Sequence, residues 1–110
     1  MRRTLRSGQR LRHPHSVVII GDVNPGAEVI AGGDIVVWGR VRGVLHAGAF
    51  GDEHAIICAL DLSPMQLRIA GHIALSPEER RGKPVPEVAS VRDGQIVAVP
   101  WQSGDLGRAG

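Results

Sequence analysis

The chain has 110 residues, with 13 Lys or Arg against 11 Asp or Glu and a formal net charge of +2 with histidine neutral, too weak an overall field to argue for nucleic acid. That length allows one domain with a modest core; its single cysteine excludes an internal disulfide, and no apolar run reaches the ~18 residues of a membrane-spanning helix. Fifteen glycines, no tyrosine and one phenylalanine describe a core of small and β-branched side chains.

Taken in order, residues 1–12 are basic, with Arg2, Arg3, Arg6, Arg10 and Arg12 and no acid among them. Leu5 and Leu11 bracket the segment Arg6-Ser7-Gly8-Gln9, and a short strand or cap is expected near Leu11. His13-Pro14-His15 turns the chain into a strand from Ser16 to Ile20, because proline withholds an N–H donor and restrains its neighbour. Asn24-Pro25-Gly26 is a second turn, leading to a strand from Ala27 to Ala31. Further strands are expected over Ile35 to Trp38, Arg40 to Arg42 and Val44 to Ala47, with a polar corner at Gly51-Asp52-Glu53-His54. Ala55 to Leu60 opens another rung, which Met65 to Ala70 and His72 to Leu75 complete. Residues 76–87, with Pro77, Pro84 and Pro86 and the basic group Arg80, Arg81 and Lys83, read as a connecting loop with one helical turn at Pro77 to Arg81. Val88 to Arg92 and Gln95 to Val99 flank Asp93-Gly94, a good two-residue hairpin signal. The domain is expected over residues 4–101, with 1–3 a tail ahead of it and 102–110 a disordered tail behind.

The spacing of these elements is itself a signal. Val18-Ile19-Ile20-Gly21 recurs 18 residues later as Val36-Val37-Trp38-Gly39, each followed two residues on by valine, at Val23 and Val41. Val29, Ala31 and Gly32 match Leu45, Ala47 and Gly48 at an offset of 16. Short β-branched runs cut by glycine corners at this period predict an all-β fold, a short right-handed three-sided β-helix with a C-terminal β-hairpin. A β-sandwich also suits short strands and frequent turns, but the repeat favours the coil.

Alternate residues of a strand point to opposite faces, so a strand apolar at every position is covered on both. Val17 to Ile20, Ile35 to Trp38 and Ile56 to Cys58 have this character, while Glu28, His46 and Arg68 interrupt the neighbouring sheet. The first set is expected to stack into one sheet whose outer face, carrying Val18, Ile20, Val36, Trp38, Ile56 and Cys58, meets a second copy of the chain. The competing arrangement folds the N-terminal segment or the C-terminal hairpin over that face. Cys58 itself, within Ala55-Ile56-Ile57-Cys58-Ala59-Leu60, reads as a buried small hydrophobe.

Little in the sequence argues for catalysis. His13 and His15 are separated by proline and lack a matched Cys or carboxylate pair, so no metal site is expected. His46 and His72 interrupt apolar strands, where a satisfied polar contact is the better reading. Asp22, Asp34 and Asp52 each sit beside glycine, where aspartate accepts backbone N–H bonds at turns. A β-helix enzyme acting on carbohydrate or transferring acyl groups would need a longer groove or a catalytic cluster. A basic nucleic-acid module would need an aromatic platform, and Trp38, Phe50 and Trp101 are dispersed.

Gly33 to Gly43, reading Gly-Asp-Ile-Val-Val-Trp-Gly-Arg-Val-Arg-Gly, with Arg6-Ser7-Gly8-Gln9 upstream and Ala47-Gly48-Ala49 downstream, resembles the C-terminal domain of the bacterial septum-site determining protein MinC. The resemblance implies a non-enzymatic regulator of division-site placement that forms a homodimer, binds the ATPase MinD, and helps inhibit assembly of the tubulin-like protein FtsZ. It implies that Arg6, Ser7, Gly8 and Gln9 form the MinD contact, with Asp34 an addition. By the same resemblance the domain carries no cofactor of its own, since ATP is bound by MinD, and the cytoplasmic protein reaches the inner face of the cell membrane only through MinD.

Overall fold

The computed structural model describes residues 1–75 and 83–101. Among them ten strands follow in chain order: β1 (Arg10–His13), β2 (Val17–Ile20), β3 (Glu28–Ala31), β4 (Ile35–Val41), β5 (Val44–Ala47), β6 (Ile57–Leu62), β7 (Gln66–Ile69), β8 (His72–Leu75), β9 (Glu87–Arg92) and β10 (Gln95–Pro100). They form two five-stranded sheets, ordered β10-β9-β6-β4-β2 and β1-β3-β5-β7-β8. A narrow third face is closed by parallel bridges from Leu5 to Val23 and from Val23 to Val41, and Val41 pairs with Leu62. The predicted three-sided coil is therefore present.

Successive rungs stack in parallel. Val17 pairs with Ile35 and Ile35 with Ile57 in the first sheet, and Arg10 pairs with Glu28, Glu28 with Val44 and Val44 with Gln66 in the second. The first steps keep the 18- and 16-residue offsets of the sequence; the last is 22, and most of the added length lies in the corner between β5 and β6. At Trp38 and Gly39 the long strand β4 bends, its register with β6 shifting between Val37 and Arg40, so the piece expected at Arg40 to Arg42 is largely continuous with it.

The core is a set of axial stacks. Leu5, Ile19, Ile35, Leu45, Ile57 and Ile69 are each no more than 1% exposed, and Val23, Val29, Val37 and Val41 fill the space between them. Every fully buried aliphatic side chain of this size contributes roughly 1.5 to 3 kcal/mol of transfer free energy. Phe50 is 80% exposed and neither tryptophan is in the core, so the interior holds aliphatic chains as composition implied.

The C-terminal end departs from the coil. His72 to Leu75 does not complete a rung. The chain reverses at Ala70-Gly71, with Ala70 at φ 53°, and β8 runs antiparallel to β7 because Ile69 pairs with His72 and leaves no room for a corner. Strand β9 then adds antiparallel to β6, and Asp93-Gly94, both with positive φ, carries the chain into β10 as the dipeptide predicts. Residues 1–3, expected as a tail, instead run beside β2. Arg2 bridges to Ile20, and Arg3 N–H donates to the Ile20 carbonyl at 3.0 Å. The helical turn expected at Pro77 to Arg81 and the tail from Gln102 lie outside the described residues.

Candidate partner-binding site

Arg6 to Gln9 make the corner where the third face passes into β1. Gly8 has φ +85°, a conformation glycine adopts without strain, and its N–H donates to the Gly26 carbonyl of the next rung at 2.9 Å. The turn is closed on itself: Gln9 N–H donates to the Arg6 carbonyl at 3.0 Å, and Arg6 N–H donates to Gln9 Oε1 at 2.7 Å. Arg6, Ser7 and Gly8 are exposed and Gln9 is half-buried. The four residues thus divide into two roles. Gln9 uses its side-chain oxygen to shape the turn, while Arg6 and Ser7 present a guanidinium and a hydroxyl to solvent from a fixed backbone. Such a fork suits charge-assisted bonds to a partner's carboxylates.

Asp34 lies at a different corner, between β3 and β4, and does not join this turn. Its Oδ1 accepts the Ile56 N–H at 2.9 Å, and its own N–H donates to Ser16 Oγ at 2.9 Å. A parallel ladder occupies the third face. Asp22 N–H donates to Thr4 Oγ1, Asp22 Oδ1 accepts the Arg40 N–H at 2.8 Å, and the Arg40 guanidinium pairs with Asp61 at 3.1 Å. Asp52 Oδ1 accepts the His54 N–H at 2.9 Å. All three glycine-flanked aspartates therefore serve the backbone. These ladders escaped sequence reasoning, although the 18-residue offsets between Thr4, Asp22 and Arg40, and between Ser16 and Asp34, were the available signal.

The histidines are placed structurally as well. His46 Nε2 lies 2.9 Å from the Ala70 carbonyl at the β7–β8 reversal, and His72 Nε2 lies 3.0 Å from Glu53 Oε1. His13 and His15 meet edge to face, and His13 Nδ1 accepts the His15 N–H at 3.1 Å. Among the described residues no three His, Cys, Asp or Glu are placed to hold a metal ion, and no helix is long and apolar enough to cross a membrane.

The expected apolar face is formed by β2, β4 and β6. Val18 and Trp38 are 52% exposed and Ile20 is 45% exposed, with Val36 half-buried in the same outward register. Neither candidate cover lies over it: residues 1–3 run along the β2 edge, and β9 and β10 lengthen the sheet. Trp101, after β10, packs edge-on to Trp38 with ring centroids 6.4 Å apart. Ile56 is half-buried just before β6. Cys58 shares the outward register through its pairing with Val36 and Val88, but it is only 3% exposed, so its thiol is already enclosed within one chain.

Burial, and next the negative charge of Asp34, push the Cys58 thiol up from 9.0 to about 11. The thiolate is thus disfavoured in the folded chain. The resulting stability is fully present below pH 9 and lost as pH rises toward 11, by up to about 2 to 3 kcal/mol. A thiol reagent at pH 8 is expected to modify Cys58 in denaturant and to leave the native protein essentially unlabelled over the same interval; equal rates would contradict the enclosure.

Residues 1–101 match the family model described as the septum formation inhibitor MinC, C-terminal domain. The chain is similar to a probable septum site-determining protein MinC of Heliobacterium modesticaldum, 54% identical over 94% of this chain and 36% of that protein. A second such protein, from Clostridium novyi, is 50% identical over 91% of this chain and 48% of its own length. The chain therefore spans about a quarter to a half of the curated relatives it matches. Among solved structures it resembles a chain of the MinC:MinD cell division protein complex of Aquifex aeolicus, with a TM-score of 0.88 and 44% identity over 98% of this chain and 89% of that one. Fold and sequence agree, and the chain belongs to the MinC C-terminal domain family.

Proposed function

We propose that this domain is the dimerisation and MinD-docking module of a regulator of division-site placement. Two copies join through the outer face of the β10-β9-β6-β4-β2 sheet. ATP-loaded MinD on the cytoplasmic side of the membrane takes hold of the Arg6–Gln9 turn, and the full-length regulator restrains FtsZ assembly away from midcell. Nucleotide and its hydrolysis belong to MinD, and the domain itself carries out no catalytic step. Family membership supports this reading, as does the similarity to a chain in an Aquifex MinC:MinD complex. The observation that carries it is the fixed, exposed presentation of Arg6 and Ser7 on a self-closed turn. A two-fold dimer would offer two such turns and so gain avidity on a membrane dense in MinD.

Co-sedimentation with MinD on vesicles tests the reading. Recruitment is expected with ATP and absent with ADP, and Arg6→Ala is expected to weaken it by about tenfold to a hundredfold, the cost of removing one charge-assisted contact. A domain that ignores MinD under both nucleotides would leave only the fold.

A further inference from the structure

The arginines around the docking turn are not equivalent. Arg10 pairs with Glu28 at 2.7 Å and Arg40 with Asp61 at 3.1 Å, so both charges are answered within the chain. Arg6 and Arg42 are exposed, and neither forms an ion pair among the described residues. The register places these two in one row. Leu5, Val23 and Val41 are bridge partners on successive rungs, so the residues that follow them, Arg6, Asn24 and Arg42, stack along the same corner. Rungs repeat at about 4.8 Å, which sets the backbones of Arg6 and Arg42 about 10 Å apart, well inside the footprint of one protein partner.

Half-buried Asn24 is the residue between them in this corner. Gly26 and Gly43 occupy it on the second and third rungs, and neither position accommodates a side chain: a Cβ at Gly26 would meet Ser7 Oγ at 2.3 Å, and one at Gly43 would meet the Ala27 carbonyl oxygen at 2.4 Å. On the side facing the second sheet, an open cleft of about 470 Å³ runs from Gly8 and Gln9 past Gly26 to Val44. A partner seated on the turn has Asn24 next along the axis. It would reach a second unanswered guanidinium two rungs on.

Resting on the reading of Arg6 to Gln9 as the docking turn, we infer that the MinD-facing surface continues along this glycine corner and that Arg42 binds a second carboxylate of the same MinD molecule. Arg6 and Arg42 form the two ends of the contact, with Asn24 between them. Because Arg42 forms no ion pair among the described residues, replacing it is not expected to disturb the fold.

The experiment is a vesicle titration with ATP-loaded MinD of the wild type, Arg6→Ala, Arg42→Ala, Arg42→Glu and Arg92→Ala, the last a control on the distant β9–β10 hairpin. Arg42→Ala is expected to weaken binding about fivefold to twentyfold and Arg42→Glu about a further tenfold, while Arg92→Ala stays within about twofold of wild type. All five proteins are expected to share one melting temperature within about 2 °C, as surface substitutions do. If Arg6→Ala weakens binding while Arg42→Ala matches wild type, the contact ends at the turn and the extension is wrong. Equal losses in Arg42→Ala and Arg92→Ala would reduce it to general positive charge and overturn it. Should neither Arg6→Ala nor Arg42→Ala alter binding, the docking turn and its extension both fall.

Discussion

Gly39→Ala is expected to lower the melting temperature by more than about 10 °C, a loss of roughly 3 to 5 kcal/mol in a domain of this size. The reason is contact across rungs. Gly39 sits where β4 bends from the first sheet into the third face, and a Cβ there would lie 2.1 Å from the Gly21 carbonyl oxygen and 2.6 Å from Asp22 Oδ1. Both obstacles belong to the rung below. Relief requires the rungs to separate at that corner, which stretches the bond from Gly21 N–H to the Trp38 carbonyl, already 3.3 Å, and breaks the Arg40 N–H bond to Asp22. Total stability of such a domain is of order 5 to 15 kcal/mol, so the loss takes a large share of it. Two controls separate clash from loss of glycine as such. At Gly71 a Cβ would meet nothing within 4 Å and φ is not positive, so Gly71→Ala should melt within about 3 °C of wild type. Gly51→Ala also meets nothing but carries φ +108°, and should cost about 1 to 2 kcal/mol through backbone strain alone. A melting curve for Gly39→Ala that overlays wild type would show that the corner does not hold the rungs at this distance.

The same corner explains what the sequence makes legible. Glycine has to recur wherever one rung's backbone crosses the next, so Gly21 and Gly39 mark the period directly, and the valines at 23 and 41 mark the narrow face between two sheets. Stacked aliphatic positions such as Val29 and Leu45 then follow the same spacing because they fill one axial column. The Arg6–Gln9 turn is visible as a motif for a related reason, since a polar turn with a positive-φ glycine has no hydrophobic stripe to hide it. Features that depend on the last rung are less visible. Nothing local distinguishes β8 as a reversed strand from β8 as a continuing one: its apolar residues fit either, and Ala70 takes the positive φ more often given to glycine. Cys58 has the parity of an outward-facing residue, but its enclosure depends on packing that only the completed fold provides. Gln9 is named by the motif, yet its inward hydrogen bond to Arg6 is a matter of rotamer. Residues 1–3 carry no period of their own and are ordered by the edge of β2, which only the completed coil provides.

If two copies join through the outer face of the first sheet, as proposed, Trp38→Ala is expected to turn that dimer into a monomer at low micromolar concentration. The outer face of the first sheet exposes Val18, Ile20 and Trp38 by about half each, with Trp101 packed edge-on against Trp38. Trp38 is its largest side chain and is held in place by Trp101, so it reaches an interface with little rotamer entropy left to lose. Tryptophans in such central positions commonly carry 2 to 4 kcal/mol of binding, about a thirtyfold to thousandfold change in the dimer constant. Sedimentation equilibrium should show that shift for Trp38→Ala and for Ile20→Asp, but none for Ile73→Asp, whose side chain is 54% exposed on the opposite sheet. The Arg6–Gln9 turn, proposed as the docking site, lies outside this face, so a monomeric variant keeps it intact. It should bind a single MinD in solution as wild type does and bind MinD-coated vesicles at least about tenfold more weakly, because two linked sites gain avidity that one does not have. Loss of solution binding to MinD in a folded Trp38→Ala monomer would mean that the docking site is shared between the two subunits; a Trp38→Ala protein that remains dimeric would place the interface elsewhere.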